Sequence, residues 1–214
     1  IARAPSGATV TLARLFEAVG GGRPPLLTRV RSHLSDHLEA AGHVVLLATP
    51  DAPLLPLVAA LGAYARVRDR YCMPLGPTLS RQEVERWRPL TRAAKRLLEA
   101  SGAKIKALVL GHFDYPESAI AERVAIVQDE PWSLSALDRV AAFKDGLFAR
   151  RQALVVNADH PTVADLVRLS QREPEQAGYM LAKSFLVRGD ELDAEIDGEL
   201  LRRALEMRCQ RQTG

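Results

Sequence analysis

Only two of the 214 residues are cysteine, Cys72 and Cys209, and they stand far apart at no metal-ligand spacing. That scarcity argues against a disulfide scaffold and for a reducing compartment with buried or inert thiols. Long apolar runs are missing as well. The best, His43 to Ala48, has the length of a strand, whereas a membrane-spanning helix needs roughly 18 consecutive apolar residues. Charge of one sign is not in excess: 29 Lys+Arg face 26 Asp+Glu, a net charge of +3 at a pI near 9.1, which weighs against nucleic-acid binding through bulk charge. Five lysines stand beside twenty-four arginines, and in an alanine-rich chain that skew reads as codon bias rather than as selection for phosphate contacts. The common signatures for dinucleotides, hydrolases and zinc are absent: there is no G-x-G-x-x-G, G-x-S-x-G, H-E-x-x-H or paired-cysteine motif. Gly20-Gly21-Gly22-Arg23-Pro24 lacks the lysine and the strand-to-helix setting of a phosphate loop. The chain opens on Ile1 without a basic-then-apolar leader and is therefore expected to be a piece of a longer protein.

What is present is enough for a packed core: 47% of the residues are apolar and 26% charged. The length allows one large domain or two of about 100 residues. The patterning predicts helices over Thr11 to Val19, Leu26 to Ala41 and Leu54 to Leu61, a buried strand at His43 to Ala48, and a half-exposed strand at Tyr64 to Tyr71. Met73 to Thr78, with two prolines and a glycine, reads as a linker, so the domain boundary is placed at residue 78. Ser80 and Glu83 have capping-box spacing at the start of a helix that Pro89 is expected to interrupt. Strands follow at Ile105 to Leu110 and Glu122 to Gln128, read as a hairpin-like pair. Then come an amphipathic helix over Ser135 to Phe148, a strand at Ala153 to Val156, and helices over Pro161 to Arg172, Glu175 to Val187 and Glu199 to Arg211. The fold class expected is α/β (α+β): a small α/β layer over 1–78 and a helix-strand-strand-helix-strand-helix-helix-helix domain over 79–214.

Residues with chemistry are few. His33 and His37 share a helix face without a completing ligand and read as solvent-facing. His112 and Asp114 sit at a strand end, and Asn157-Ala158-Asp159-His160-Pro161 forms a strand-to-helix corner with capping side chains and proline in the first turn. An α/β enzyme reading makes His112, Asp114, Asp159 and His160 converge in one pocket. A nucleic-acid reading uses Arg66, Arg68, Arg70, Arg81, Arg86 and Arg88. The closing helices carry two apolar stripes, Met180, Leu181, Ser184, Phe185 and Val187 on one and Leu200, Leu201, Ala204, Leu205 and Arg208 on the next. Such stripes pack on their own domain or pair with the same helices of a second subunit.

This order of elements, with a strand ending in Asn-x-Asp-His-Pro before three helices, resembles the C-terminal dimerisation domain of the heat shock protein 90 chaperone family. The match is best from Leu154 to Val163, where Ala158 stands in place of the family's usual proline. Leu181 to Gly189 and, more loosely, Leu97 to Val109 with the loop through Ser118 are similar, although Tyr115-Pro116-Glu117-Ser118 is out of the usual order. Gly42 to Leu47 followed by Thr49-Pro50-Asp51 resembles the last small α/β unit of the family's middle domain.

The resemblance implies a cytoplasmic, stress-related chaperone fragment that is not itself an enzyme and holds no cofactor or metal, ATP and magnesium belonging to a domain before Ile1. It implies a homodimer through Met180, Leu181, Ser184, Phe185, Leu200, Leu201, Ala204, Leu205 and Arg208. Unfolded client proteins are the other expected partners, touching Trp132, Phe143, Leu147 and Phe148, although Trp132 to Arg151 has none of the methionines frequent there. Neither nucleic acid nor membrane is expected as a partner. The chain ends in Gln212-Thr213-Gly214 without the acidic tail of eukaryotic members, which implies the bacterial branch.

Overall fold

The computed structural model describes residues 2–49, 51–62, 64–67, 71–72, 80–130, 134–136, 152–188 and 192–213. Trp132, Phe143, Leu147 and Phe148 lie outside them, as do Arg68 and Arg70. The chain is an α/β protein that divides into two compact units, one of Ile1–Met73, Asp114–Ile120 and Leu134–Asp138 and one of Pro74–Phe113, Ala121–Ser133 and Arg139–Gly214. The boundary expected at residue 78 falls outside the described residues. The division is also not a single cut, because two later segments join the first unit. Their reasons are local: Ser135–Ala136 pairs with Tyr71–Cys72, and the Glu117 side chain bonds Thr28 and Arg29.

The first unit begins with a hairpin of β1 (Ala2–Arg3) and β2 (Thr9–Val10), followed by α1 (Leu12–Gly20). Its sheet is parallel, with β3 (Leu26–Thr28) between β4 (Val45–Leu47) and β5 (Ala65–Arg66). The helix expected over Leu26 to Ala41 is therefore two elements. Leu26, Leu27 and Thr28 are all buried as the central strand, and α2 (His33–Ala40) starts only where Ser32 and Ser35 cap each other, Ser35 N–H donating to Ser32 Oγ at 3.2 Å and Ser32 N–H to Ser35 Oγ at 2.9 Å. A helical period and a strand buried on both faces cannot be told apart in so short an apolar run. Helix α3 (Leu54–Leu61) lies where expected. Leu15, Leu27, Leu46 and Val58 anchor the core. Within the half-exposed strand expected at Tyr64 to Tyr71, the described residues hold β5 and, at the far end, β6 (Tyr71–Cys72), which pairs antiparallel with β9 (Ser135–Ala136), while residues 68–70 lie outside them. Ser135 and Ala136 thus belong to a strand and not to the amphipathic helix expected from Ser135. The rest of that helix lies outside the described residues.

The second unit opens with α4 (Arg81–Ala100), one unbroken helix despite Pro89. An interior proline costs about 3 kcal/mol, but Trp87, Leu90, Ala94, Leu97 and Leu98 are all buried along one face, and each large one recovers about 1.5–3 kcal/mol. The sheet order is β7 (Ile105–Gly111), β10 (Gln152–Asn157), β8 (Ala125–Gln128), with β10 parallel to β7 and antiparallel to β8. The two strands expected as a hairpin are thus separated. Ala153, Leu154, Val155 and Val156 are buried on both faces and take the centre, which leaves the flanking strands to β7 and β8. Helices α5 (Pro161–Ser170), α6 (Pro174–Arg188) and α7 (Ala194–Thr213) close the chain. Helix α7 starts five residues before the expected Glu199, because the Asp193 carboxylate accepts from Ile196 N–H at 2.7 Å as a cap.

The capping box of α4 forms as its spacing predicts, Ser80 N–H donating to Glu83 Oε2 at 2.8 Å and Glu83 N–H to Ser80 Oγ at 3.3 Å. The donors of Ser80, backbone first and hydroxyl second, hold the Glu83 carboxyl below its ordinary value of 4.5. A depressed folded value means that this contribution is complete at neutral pH and is lost as the pH falls through it. The stability gap between wild type and Glu83→Gln is therefore expected to shrink as the pH drops below about 4. Urea unfolding across pH 2–7 checks this, and a gap independent of pH contradicts it.

Candidate functional site

The Asn157 to Pro161 corner draws polar groups from three stretches of the second unit. Asn157 is fully buried. Its Nδ2 donates to the carbonyls of Ala121 (2.9 Å) and Arg123 (2.8 Å), and its Oδ1 accepts from Asp159 N–H at 3.0 Å. Asp159 in turn accepts from Phe113 N–H at 2.9 Å and meets His112 Nδ1 at 2.8 Å. The His160 ring turns the other way, its Nδ1 accepting from Thr162 N–H at 3.2 Å as the cap of α5. Of the four residues expected to converge, His112 and Asp159 meet, His160 is spent on the helix start, and Asp114 belongs to the first unit. A His–Asp pair can orient an imidazole for proton transfer. Here the second carboxylate oxygen and the neighbouring amide are engaged in holding backbone, so the corner's evident work is to tie the end of β7 and the 121–123 stretch to the end of β10.

The other histidine pair is also local, since His37 Nδ1 bonds the His33 carbonyl at 2.9 Å. Among the described residues, no group of three or more His, Cys, Asp or Glu side chains is placed to hold a metal. Cys72 is buried and Cys209 exposed, and neither forms a disulfide. Arg66 lies in the first unit and Arg81, Arg86 and Arg88 on the exposed side of α4 in the second, with Arg88 paired to Glu85 at 2.7 Å. No helix among the described residues is long and apolar enough to cross a membrane.

The nine residues expected at the dimer contact differ in burial. Leu181, Phe185, Leu200 and Ala204 are buried in the second unit's own core. These four pack in one cluster with Trp87, Leu90, Leu97 and Leu98 of α4, so in the single chain they are core rather than surface open to a seam. Met180 (42% exposed), Leu201 (44%) and Leu205 (52%) face outward, as does Val187 (52%). Ser184 is half-buried, with its hydroxyl donating to the Met180 carbonyl at 2.8 Å, and Arg208 reaches Glu173 at 3.0 Å.

Helix geometry at 100° per residue gives the direction of the outward groups on each helix. On α6, Gly178 faces α4, and Met180 and Val187 lie roughly opposite it. On α7, Leu200 and Ala204 are buried, and Leu201 and Leu205 each follow one of them by one residue, about 100° round the helix. The α6 pair thus points away from α4.

Sequence reasoning missed the polar clasp joining the two helices. Tyr179 donates to Asp197 Oδ1 at 2.7 Å and Lys183 to Asp197 Oδ2 at 2.5 Å. Burial, and then the Asp197 bond, push the Tyr179 phenol up, whereas the Lys183 ammonium pulls the Asp197 carboxyl down. A tyrosine made less acidic is a donor and not a base. Four-residue spacing of Tyr179 and Lys183 was the available signal. At the start of α7, hydrogen bonds from Arg202 and then Arg203 lower the Glu199 carboxyl to about 2.

Against this geometry, the chain matches no protein-family model and no curated protein.

Proposed function

We propose that this chain is the end of the middle domain and the C-terminal dimerisation domain of a heat shock protein 90-like chaperone, acting in the cytoplasm as a homodimerising module without catalysis of its own. The observation that carries the reading is the outward apolar stripe of Met180, Val187, Leu201 and Leu205 on two adjacent helices. Beneath it, Leu181, Phe185, Leu200 and Ala204 already complete the unit's own core, so the outer stripe is surplus to folding and available to a second copy in an isologous four-helix contact. The order of elements and the Asn157 to Pro161 corner support the family resemblance.

In that reading the mechanism is mechanical. ATP and magnesium act in a domain preceding this chain, and the α6–α7 contact keeps two chains together so that their distant arms meet at a raised effective concentration. Unfolded clients are met through the stretch holding Trp132, Phe143, Leu147 and Phe148.

Sedimentation equilibrium of wild type beside a Leu201→Arg, Leu205→Arg double variant tests the reading. The expected result is a wild-type dimer at micromolar concentration and a folded, monomeric variant, since both side chains are already solvent-facing in the single chain. A wild-type monomer, or a variant that stays dimeric, contradicts it.

A further inference from the structure

The Lys183–Asp197 clasp borders the outward apolar groups on both closing helices, and it is itself partly open to solvent, the Lys183 side chain 39% exposed and that of Asp197 29%. At 100° per residue, Lys183 lies about 60° round α6 from Met180 and about 40° from Val187, and Asp197 lies about 40° round α7 from Leu201. The two helices run antiparallel, because a step along α7 from Asp197 to Arg208 is a step back from Lys183 to Glu173, the partner of Arg208. Leu181 of α6 and Leu200 of α7 are buried in one cluster. Both helices therefore turn the same side of their hairpin to the core, and the exposed groups share the other.

The surroundings of the clasp repeat along the two helices. Val187 stands four residues after Lys183, and Leu201 four after Asp197. Met180 stands three before Lys183, and Ala194, also exposed, three before Asp197. Ser184 and Gly198 follow directly on the clasp residues, and a Cβ on Gly198 would meet nothing within 4 Å. In an antiparallel hairpin, a half-turn about an axis through the middle of the clasp exchanges these positions. It carries Lys183 of one copy over Asp197 of the other, Val187 over Leu201, Met180 over Ala194, and Ser184 over Gly198, where the missing side chain lets the backbones approach. Opposite charges thus face each other, and apolar groups face apolar groups. Both charges are firmly held: the Asp197 hydrogen bond raises the Lys183 ammonium above its ordinary 10.5, and the Lys183 hydrogen bond lowers the Asp197 carboxyl below its ordinary 3.8.

We propose that the second copy docks with its two-fold axis through the Lys183–Asp197 clasp, so that each ammonium meets the partner's Asp197 and four alternating charges sit at the centre of the contact. This rests on the dimerisation proposed above and adds which residues face which. An apolar seam alone accepts shifted and reversed pairings. A central quartet of alternating charge accepts one register, because sliding either copy sets a charge against an apolar group or a like charge. Its contribution is to specificity more than to affinity.

The test uses Lys183→Glu and Asp197→Arg chains, first apart and then mixed, with sedimentation velocity as the readout and circular dichroism as the check of folding. Apart, each variant brings four like charges to the axis, and its self-association is expected to weaken about tenfold or more. Mixed, a copy with two negative charges meets one with two positive charges, and a heterodimer at least as tight as the wild-type dimer is expected. A clasp that works only within one chain is broken in both variants and gives no rescue on mixing. Because both substitutions break the intrachain pair, a Lys183→Gln, Asp197→Asn double variant, which keeps hydrogen-bonding groups and removes the charges, is measured beside them. Wild-type association is expected to weaken as salt rises from about 0.05 M to about 0.5 M, and that of the neutral variant to stay nearly constant. A wild-type monomer removes the dimer and this axis together. A wild-type dimer with no rescue on mixing folded variants, or with the same salt response in the neutral variant, leaves the dimer standing and overturns the axis.

Discussion

Gly178→Leu is expected to abolish folding of the second unit, and the smaller Gly178→Ala to cost about 1–3 kcal/mol. The reason is the crossing of α6 over α4. A Cβ built on Gly178 lies 2.7 Å from Ala93 Cβ, 2.8 Å from Ala94 N and 2.9 Å from Ala93 C, and two of those three atoms are backbone that cannot rotate aside. Alanine is the better helix former, so propensity alone predicts a gain of about 1 kcal/mol. Gly198 in α7 supplies the control, because a Cβ there meets nothing within 4 Å. Gly198→Ala is expected to stabilise by about 0.5–1 kcal/mol. Urea unfolding followed by helical circular dichroism compares the two. Equal effects at both positions contradict a close crossing at Gly178.

Asn157→Asp is expected to destabilise the second unit by about 3 kcal/mol or more at neutral pH, and beyond the cost of Asn157→Ala. Asn157 Nδ2 gives both protons to the Ala121 and Arg123 carbonyls. An ionised carboxylate would aim a negative oxygen at two acceptors in a fully buried place. The sign with pH follows. In the folded state that acid would titrate above its unfolded value, so the variant recovers as the pH falls, when a protonated oxygen can serve one of the two carbonyls. Chemical denaturation at pH 3.5 and pH 7 checks this. A penalty that is equal at both pH values, or smaller than that of the alanine variant, argues against the buried bonding pattern.

The elements with strong local signals were legible in the chain: the Ser80–Glu83 cap, the strand before Thr49, the buried run Ala153 to Val156, and the three closing helices. The misread stretches failed for long-range reasons. Leu26 to Thr28 is a strand because β4 and β5 flank it, and Ile105 to Leu110 fails to pair with Ala125 to Gln128 because β10 enters between them. Neither fact is local. The corner was recognised as a corner from Asn157, Asp159, His160 and Pro161, although not which carbonyls Asn157 would satisfy. Helical period also grouped all ten stripe residues, since an apolar face of about 100° does not say which edge meets the core. Burial separated Leu181, Phe185, Leu200 and Ala204 from Met180, Leu201 and Leu205. The Thr28–Glu117 contact had no signature at all, because the two residues meet across 89 positions of sequence.

Self-association through the outer stripe of α6 and α7 is the central claim. Its most direct measurement is an isotope-filtered NOE experiment on an equal mixture of labelled and unlabelled chain, which detects only contacts between copies. The account predicts cross-subunit signals at the methyl groups of Met180, Val187, Leu201 and Leu205, and none at the buried Leu181 and Leu200. A sample without cross-subunit signals at concentrations near a millimolar, or signals confined to other exposed apolar groups such as Leu12 and Phe16 of α1, would contradict it.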